Sequence, residues 1–166
     1  MLEAEIGIEE FLEKYVDTER FLQACAKCGN FNKRWSCPEY DFDTLEFWRG
    51  FKKLKLYAEQ LFTRDMTAAE AYAEYGRMKS ELDDRLLAME KDGSVSLAAG
   101  SCSRCTECTK SAGKPCVHPD RMRYSIESLG GDVVKTVSEL LGVEIKWADA
   151  GGLPEYFVLT GGMLEK

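Results

Sequence analysis

Seven cysteines lie in two groups along this chain of 166 residues, and their spacing could support metal chemistry. The first group consists of Cys25, Cys28 and Cys37, and the second of Cys102, Cys105, Cys108 and Cys116. Thiolates at short, regular intervals are typical of metal ligands in a compartment where thiols stay reduced. Both groups are therefore candidate metal-binding loops, over residues 25–43 and 101–120.

The second group contains a C-x2-C-x2-C triplet, which supplies three of the four thiolates that a [4Fe–4S] cluster needs. Cys116 is the nearest candidate for the fourth ligand, and Gly113 would allow the chain before it to turn sharply. A mononuclear zinc site more often uses two separate C-x2-C pairs. The spacing therefore favours an iron–sulfur cluster at Cys102, Cys105, Cys108 and Cys116, with zinc as the alternative.

The first group provides only three thiolates, which leaves several arrangements open. Cys37 could complete the cluster of the second group, with Cys116 crossing to the first. Alternatively, Cys25, Cys28 and Cys37 could hold a second cluster with an open or non-cysteine corner, or form a zinc knuckle. His118 is the single histidine and could serve as an eighth ligand, although a lone histidine in a polar loop is more often solvated.

The formal net charge of -7 and the pI of about 4.9 argue against nucleic acid as the main partner, because phosphate binding needs a basic excess. An acidic surface would instead suit docking to a basic patch on a redox partner protein. No stretch approaches the ~18 apolar residues of a membrane span. The acidic start of the chain does not resemble a signal peptide, so we expect a cytoplasmic protein.

The remaining sequence predicts the elements that must position the two cysteine loops. Apolar residues at helical spacing predict two short helices over 4–24, a long helix over 67–91 and a helix over 132–141. Alternating or short apolar runs predict strands over 53–62, 94–99, 143–148 and 156–160, the last two joined by a Gly-Gly-Leu-Pro turn. We therefore expect an α+β fold, a single compact domain over residues 1–166 with a small sheet flanked by helices.

Other residues near the cysteines allow two interpretations each. Arg121, Arg123, Ser125 and Glu127 could offset cluster charge and donate to its sulfurs, or Ser125 could simply cap a helix. Trp35, Tyr40 and Phe42 could shield a cluster from water, although ordinary core packing is the more common role of aromatic residues. The Gly-Gly pairs at 130–131, 151–152 and 161–162 are typical of turns or caps, and none forms a phosphate-binding loop.

Two segments resemble signatures of the DUF2284 family of predicted metal-binding proteins. Residues 25–38, CAKCGNFNKRWSCP, are similar to the first signature, and residues 101–130 are similar to the second. Trp147 and the run 156–160 also fit the end of the family pattern. The resemblance implies metal or iron–sulfur binding through the cysteines and assigns no activity.

Three functions follow from these residues. The first is an iron–sulfur protein that transfers electrons or senses redox state, and the second is a zinc-stabilised binding module. The third is an enzyme whose three-cysteine site leaves one iron open to substrate, although the sequence reveals no acid, base or substrate pocket for it.

Overall fold

The computed structural model describes all residues from Met1 to Lys166. Four antiparallel strands form one sheet in the order β1-β2-β4-β3, and helices cover both of its faces. The strands are β1 (Leu2–Gly7), β2 (Lys53–Phe62), β3 (Val95–Leu97) and β4 (Tyr156–Glu165). This architecture confirms the α+β prediction.

Five α-helices and two short 3₁₀ helices complete the structure. The α-helices are α1 (Ile8–Tyr15), α2 (Thr18–Cys25), α3 (Thr44–Arg49), α4 (Ala68–Ala88) and α5 (Val133–Leu141). The 3₁₀ helices span Thr109–Ala112 and Glu127–Leu129. No helix is both long enough and apolar enough to cross a membrane.

Side-chain caps explain where α2 and α4 begin. Asp17 accepts a hydrogen bond from the backbone N–H of Arg20 and so starts α2, whose last residue is Cys25. Thr67 and Glu70 form a reciprocal capping box at the start of α4. These caps satisfy N–H groups that a helix leaves without a partner at its first turn.

The sheet separates two hydrophobic clusters. On one face, Leu54, Leu56 and Leu164 pack with Phe11 of α1 and Trp48 of α3. On the other face, Tyr57, Leu159 and Met163 pack with Leu82 and Leu86 of α4. The register explains this division, because Leu54 pairs with Leu164 and Tyr57 pairs with Gly161, so that alternate residues face opposite sides.

Three predictions about elements are wrong. Residues 2–7 form strand β1, paired with residues 53–58, where helical spacing predicted a helix from residue 4. Residues 143–148 form no strand, although their side chains alternate. The pair Gly161-Gly162 lies inside β4 instead of in a turn. A side chain at Gly161 would meet Leu86 and the backbone of Leu97, which explains why glycine occupies this position in the strand.

Candidate metal centre

The second cysteine loop is anchored where it leaves the sheet. β3 ends at Leu97, and the next residue, Ala98, donates its N–H to the carbonyl oxygen of Tyr124 at 2.8 Å. The N–H of Ala99 is donated to Oδ1 of Asp83 on α4 at 2.8 Å, and Lys79 Nζ binds Oδ2 of the same carboxylate at 2.7 Å. Asp83 is buried, so the start of the loop has a fixed position against α4.

The four cysteines of the second group line one small cavity. Cys102, Cys105, Cys108 and Cys116 are all half-buried, and His118 contributes to the same wall. Before Cys116 the chain turns at Gly113, whose φ of 65° is left-handed, as predicted. The cavity volume is about 20 Å³, which is room for one water-sized group.

The borders of this cavity carry positive charge. Arg34 and Arg104 both line the cavity, and no carboxylate does. Arg34 donates to Asn30 Oδ1 at 3.1 Å and to the carbonyl oxygen of Cys102 at 2.9 Å and makes no ion pair. Arg104 pairs with Asp84 on α4. The arrangement suits a group with net negative charge, because unpaired arginine stabilises nearby anions.

The three cysteines of the first group are neighbours of each other. Cys25 is half-buried at the end of α2, Cys28 is exposed, and Cys37 is buried. Burial raises the pKa of the Cys25 thiol, and Glu127, Cys37 and Cys28 raise it further. Burial also raises the pKa of the Cys37 thiol, while a hydrogen bond with Ser36 opposes this shift. Without a cation these thiols therefore favour the protonated state.

Cys25 faces a second cavity, which has a volume of about 320 Å³. Pro38 and Tyr40 of the first loop and Glu127 also border it. None of the second-group cysteines lines this space, and neither Cys25, Cys28 nor Cys37 lines the smaller cavity. Cys25 and the four thiols of the second group therefore face different spaces.

Direct hydrogen bonds join the two cysteine loops. The central one runs from the backbone N–H of Cys102 to Oγ of Ser36 at 2.9 Å, and Ser36 is fully buried. Lys110 donates to the carbonyl oxygens of Cys37 and Glu39 at 2.9 and 3.1 Å. Four further bonds are Asn30–Ser101, Arg34–Cys102, Trp35–Lys114 and Ser111–Lys33. The loops thus form one continuous structure.

Cys116 therefore lines the same cavity as the triplet Cys102, Cys105 and Cys108, and Cys37 does not line it. No three His, Cys, Asp or Glu side chains converge on a single point as ligands of one metal ion do.

A model of the DUF2284 family, described as predicted metal-binding proteins, matches residues 12–163 of this chain. The chain belongs to the DUF2284 family. The match spans both cysteine loops and confirms the resemblance seen in the sequence. Comparisons with curated proteins and with solved structures give no match.

Two arginines near the cysteines of this DUF2284 protein bind carboxylates of the fold. Arg123 forms a bidentate pair with Glu90 at 2.6 Å, and Arg121 binds Asp84 at 3.1 Å. Ser125 exchanges hydrogen bonds with Ser128 around a 3₁₀ turn, but the N-cap of the 3₁₀ helix Glu127–Leu129 is Ile126, so Ser125 is not the predicted N-cap.

The aromatic residues Trp35, Tyr40 and Phe42 have two different roles. Tyr40 and Phe42 stack at 4.8 Å and pack against Tyr124, which confirms core packing for this pair. Trp35 lines the cavity of the second cysteine group and donates its indole N–H to the carbonyl oxygen of Lys114 at 3.2 Å.

Sequence analysis missed several residues that hold the DUF2284 loops. Ser36 and Arg34 give no local signal, because their partners lie 66 and 68 residues away. Asp83 was missed because the sequence shows it as one of several acidic residues on a helix, and such residues usually face solvent. Glu127, named above from the sequence as a candidate partner of a cluster, borders both the cavity at Cys25 and a cleft at the edge of the sheet, and burial raises the pKa of its carboxyl.

Proposed function

We propose that this protein is an iron–sulfur protein, in which Cys102, Cys105, Cys108 and Cys116 bind one [4Fe–4S] cluster. The cluster would supply one-electron chemistry, and the protein would transfer electrons or sense redox state. The observation that carries the proposal is the single cavity shared by these four thiols.

The charge at the border of the cavity supports these four thiols as ligands of a cluster. A [4Fe–4S] cluster with four thiolates carries net negative charge, and the unpaired Arg34 would offset it. The triplet spacing lets one loop supply three ligands, and Gly113 turns the chain so that Cys116 reaches the same cavity. Trp35 covers one side and would limit the access of water.

Zinc is the second candidate at this site. Four cysteine thiolates are a common ligand set of structural zinc, and the same shared cavity would bring them to one ion.

Anaerobic purification followed by iron, sulfide and zinc analysis tests the proposal. We expect a brown protein with iron and acid-labile sulfide in equal amounts, and Cys105→Ser or Cys116→Ser should remove the iron held by this group. The matched variant Cys28→Ser, at an exposed cysteine of the other group, should retain it. Colourless protein with stoichiometric zinc and no sulfide would show that the second candidate is correct.

The three thiols of the first group support a separate proposal. Cys25, Cys28 and Cys37 would form a second metal site, because they are mutual neighbours and do not line the cavity of the other four. A cavity of about 320 Å³ lies beside Cys25, so a small molecule could reach a metal held by these thiols. This observation favours the enzyme hypothesis, in which an open iron binds substrate.

Metal analysis of cysteine variants shows whether the first group forms its own site or shares the cluster of the second group. If the first group forms its own site, Cys37→Ser should lower total metal and leave one cluster at the second group. If Cys37 instead completes the cluster of the second group, Cys37→Ser and Cys105→Ser should remove the same metal.

We further propose that the acidic surface of this protein docks to a basic patch on a redox partner protein. Reduction by such a partner should therefore weaken as the salt concentration rises.

A further inference from the structure

Basic side chains without an ion pair are concentrated in the two cysteine loops. Twelve of the 22 Lys and Arg residues pair with a carboxylate, and ten do not. Five of these ten lie within residues 25–43 and 101–120, namely Lys27, Lys33, Arg34, Lys110 and Lys114. The fold itself therefore leaves the positive charge of these loops without a partner.

Lys110 and Lys114 lie at the junction between the loops. The Lys110 ammonium donates to the carbonyl oxygen of Cys37 at 2.9 Å and lies 5.6 Å from the centre of the Trp35 ring. The indole N–H of Trp35 binds the carbonyl oxygen of Lys114 at 3.2 Å. These contacts hold both lysines at the junction and leave their charge in place, because a carbonyl oxygen and an aromatic ring carry no net charge.

Lys33 and Arg34 lie at the same junction, on the side of the first loop. The carbonyl oxygen of Lys33 accepts a hydrogen bond at 3.3 Å from Ser111, which follows Lys110 in the chain. Arg34 donates to the carbonyl oxygen of Cys102 at 2.9 Å. Together these residues form one basic patch across the two loops, which consists of Lys33, Arg34, Lys110 and Lys114.

The basic patch adjoins an exposed apolar surface. Trp35 and Val117 line the cavity of the second cysteine group, and 57% of the surface of Val117 is exposed. No carboxylate lines this cavity, and Glu39 and Asp43 of the first loop border the cavity at Cys25 instead. Apolar residues next to a polar rim are the common arrangement of a protein–protein interface.

We propose that the basic patch docks an acidic one-electron carrier protein, which would reduce the centre held by the second cysteine group. The inference rests on the iron–sulfur function proposed above. The reduced carrier would lose one electron, the centre would gain it, and no bond would form or break. Arg34 belongs to the patch and also lines the cysteine cavity, so a partner docked there would lie beside the candidate metal centre.

The distribution of charge along the chain supports this orientation. Outside residues 25–43 and 101–120, acidic residues outnumber basic ones by 24 to 16, whereas these two segments contain six basic and five acidic residues. The approach of an acidic partner is therefore least opposed at the loops. A protein that transfers electrons has a donor and an acceptor, so an acidic partner at the patch is compatible with a basic partner on the remaining acidic surface.

Isothermal titration calorimetry at low ionic strength tests the basic patch, with an acidic plant-type ferredoxin as the probe and the purified full chain. Wild type should bind the probe saturably and lose affinity as salt rises. The patch variant, with both Lys33→Glu and Lys114→Glu, should bind about tenfold or more weakly, because two attractive charges become repulsive. Only the backbone oxygens of these two exposed residues bind the other loop, so the variant should keep the fold.

The matched control carries Arg64→Glu and Lys91→Glu. It reverses two exposed, unpaired cations outside the loops and changes the net charge by the same amount. Its affinity for ferredoxin should change by less than about threefold. A basic cytochrome c is the second probe, and its binding should not weaken in the patch variant.

Absence of saturable ferredoxin binding, or equal weakening in the patch variant and the control, would overturn the proposal. Tighter binding of a single-stranded oligonucleotide than of ferredoxin, or self-association that the patch variant abolishes, would give the patch another occupant and overturn it as well. Iron and sulfide analysis of the same samples tests the iron–sulfur function separately. A zinc protein that still binds ferredoxin through the patch would contradict that function and leave the docking surface in place.

Discussion

The hydroxyl of Ser36 accepts a hydrogen bond from the backbone N–H of Cys102 at 2.9 Å, and this contact joins the two cysteine loops. Ser36 precedes Cys37, the buried thiol of the first group, and Cys102 is the first thiol of the second group. This side chain therefore contributes, with the six other hydrogen bonds between the loops, to the relative position of both candidate metal sites. A change in either loop reaches the other through this bond.

Replacement of Ser36 by alanine should lower the free energy of unfolding by about 1–2 kcal/mol, because the N–H of Cys102 then lacks its partner. It should also lower the metal retained at both cysteine groups during dialysis against a chelator. Urea unfolding and metal analysis measure the two effects. Ser111→Ala removes a longer, exposed contact between the same loops and should change stability by less than about 0.5 kcal/mol. Equal effects of both substitutions would contradict the role of Ser36.

Asp83 should be the most sensitive acidic residue of α4. Its carboxylate binds Lys79 and the N–H of Ala99, and the side chains of Asp83 and Lys79 are only 8% and 12% exposed. Asp83→Ala leaves the buried Lys79 ammonium without its carboxylate, with only a long hydrogen bond to Ser103 at 3.5 Å, which should cost about 3–5 kcal/mol in urea unfolding.

The matched control for Asp83 is Glu81→Ala on the same helix. Glu81 pairs with Arg77 at an exposed position, and such pairs contribute at most about 1 kcal/mol. A small effect at Asp83 would mean that the second cysteine loop does not depend on this anchor.

The Glu90 carboxylate should make stability depend on pH in the acid range. Burial opposes its ionisation, but hydrogen bonds from Arg123 and Ser96 outweigh burial, so the pKa of Glu90 lies below its usual range. A carboxyl with a lowered folded pKa stabilises fully above the unfolded pKa of about 4.3 and loses this contribution as pH falls through the folded value. The stability difference between wild type and Glu90→Gln should therefore be greatest above about pH 5 and shrink towards pH 3.

Unfolding measured across that pH range checks the sign of this effect. A Glu90→Gln difference that grows as the pH falls would be inconsistent with a lowered pKa.

The alternation of β2 and the capping box of α4 could be predicted because their signals are local. Residues 53–62 alternate apolar and polar side chains, and Thr67 and Glu70 have the capping spacing. Residues 143–148 alternate equally well but form no strand, although residues 156–161 of β4 have no strand beside them on the β3 side; residues 145–148 line a cleft there instead. Local patterning thus identifies an extended segment but not the strand edge that it would need.

The candidate site was likewise predictable from the sequence only in its local features. Cysteine spacing predicted both loops, and the shared cavity contains the four residues of the second group. The contacts of Ser36 with Cys102 and of Arg34 with Cys102 depend on how distant segments meet, which no local pattern encodes. The cleft lined by Thr160 and residues 145–148 could not be predicted from the sequence either, because its walls come from α4, α5, β4 and the loop after α5.

Two glycines should respond to alanine with opposite signs. A methyl group at Gly161 would lie 2.5 Å from Leu86 and 2.7 Å from the carbonyl oxygen of Leu97, so the sheet and α4 would have to move apart. Gly161→Ala should therefore destabilise the protein by about 1–3 kcal/mol. A methyl group at Gly76, within α4, would meet no atom within 4 Å, and Gly76→Ala should stabilise by about 0.5–1 kcal/mol through helix propensity.

Thermal and urea unfolding of the two variants beside wild type measure this contrast. Because β3 leads into the second cysteine loop, Gly161→Ala should also reduce metal retention, whereas Gly76→Ala should not. If Gly161→Ala were as stable as wild type, β4 would not need the close approach of Leu86 and Leu97 that explains a glycine in the middle of a strand.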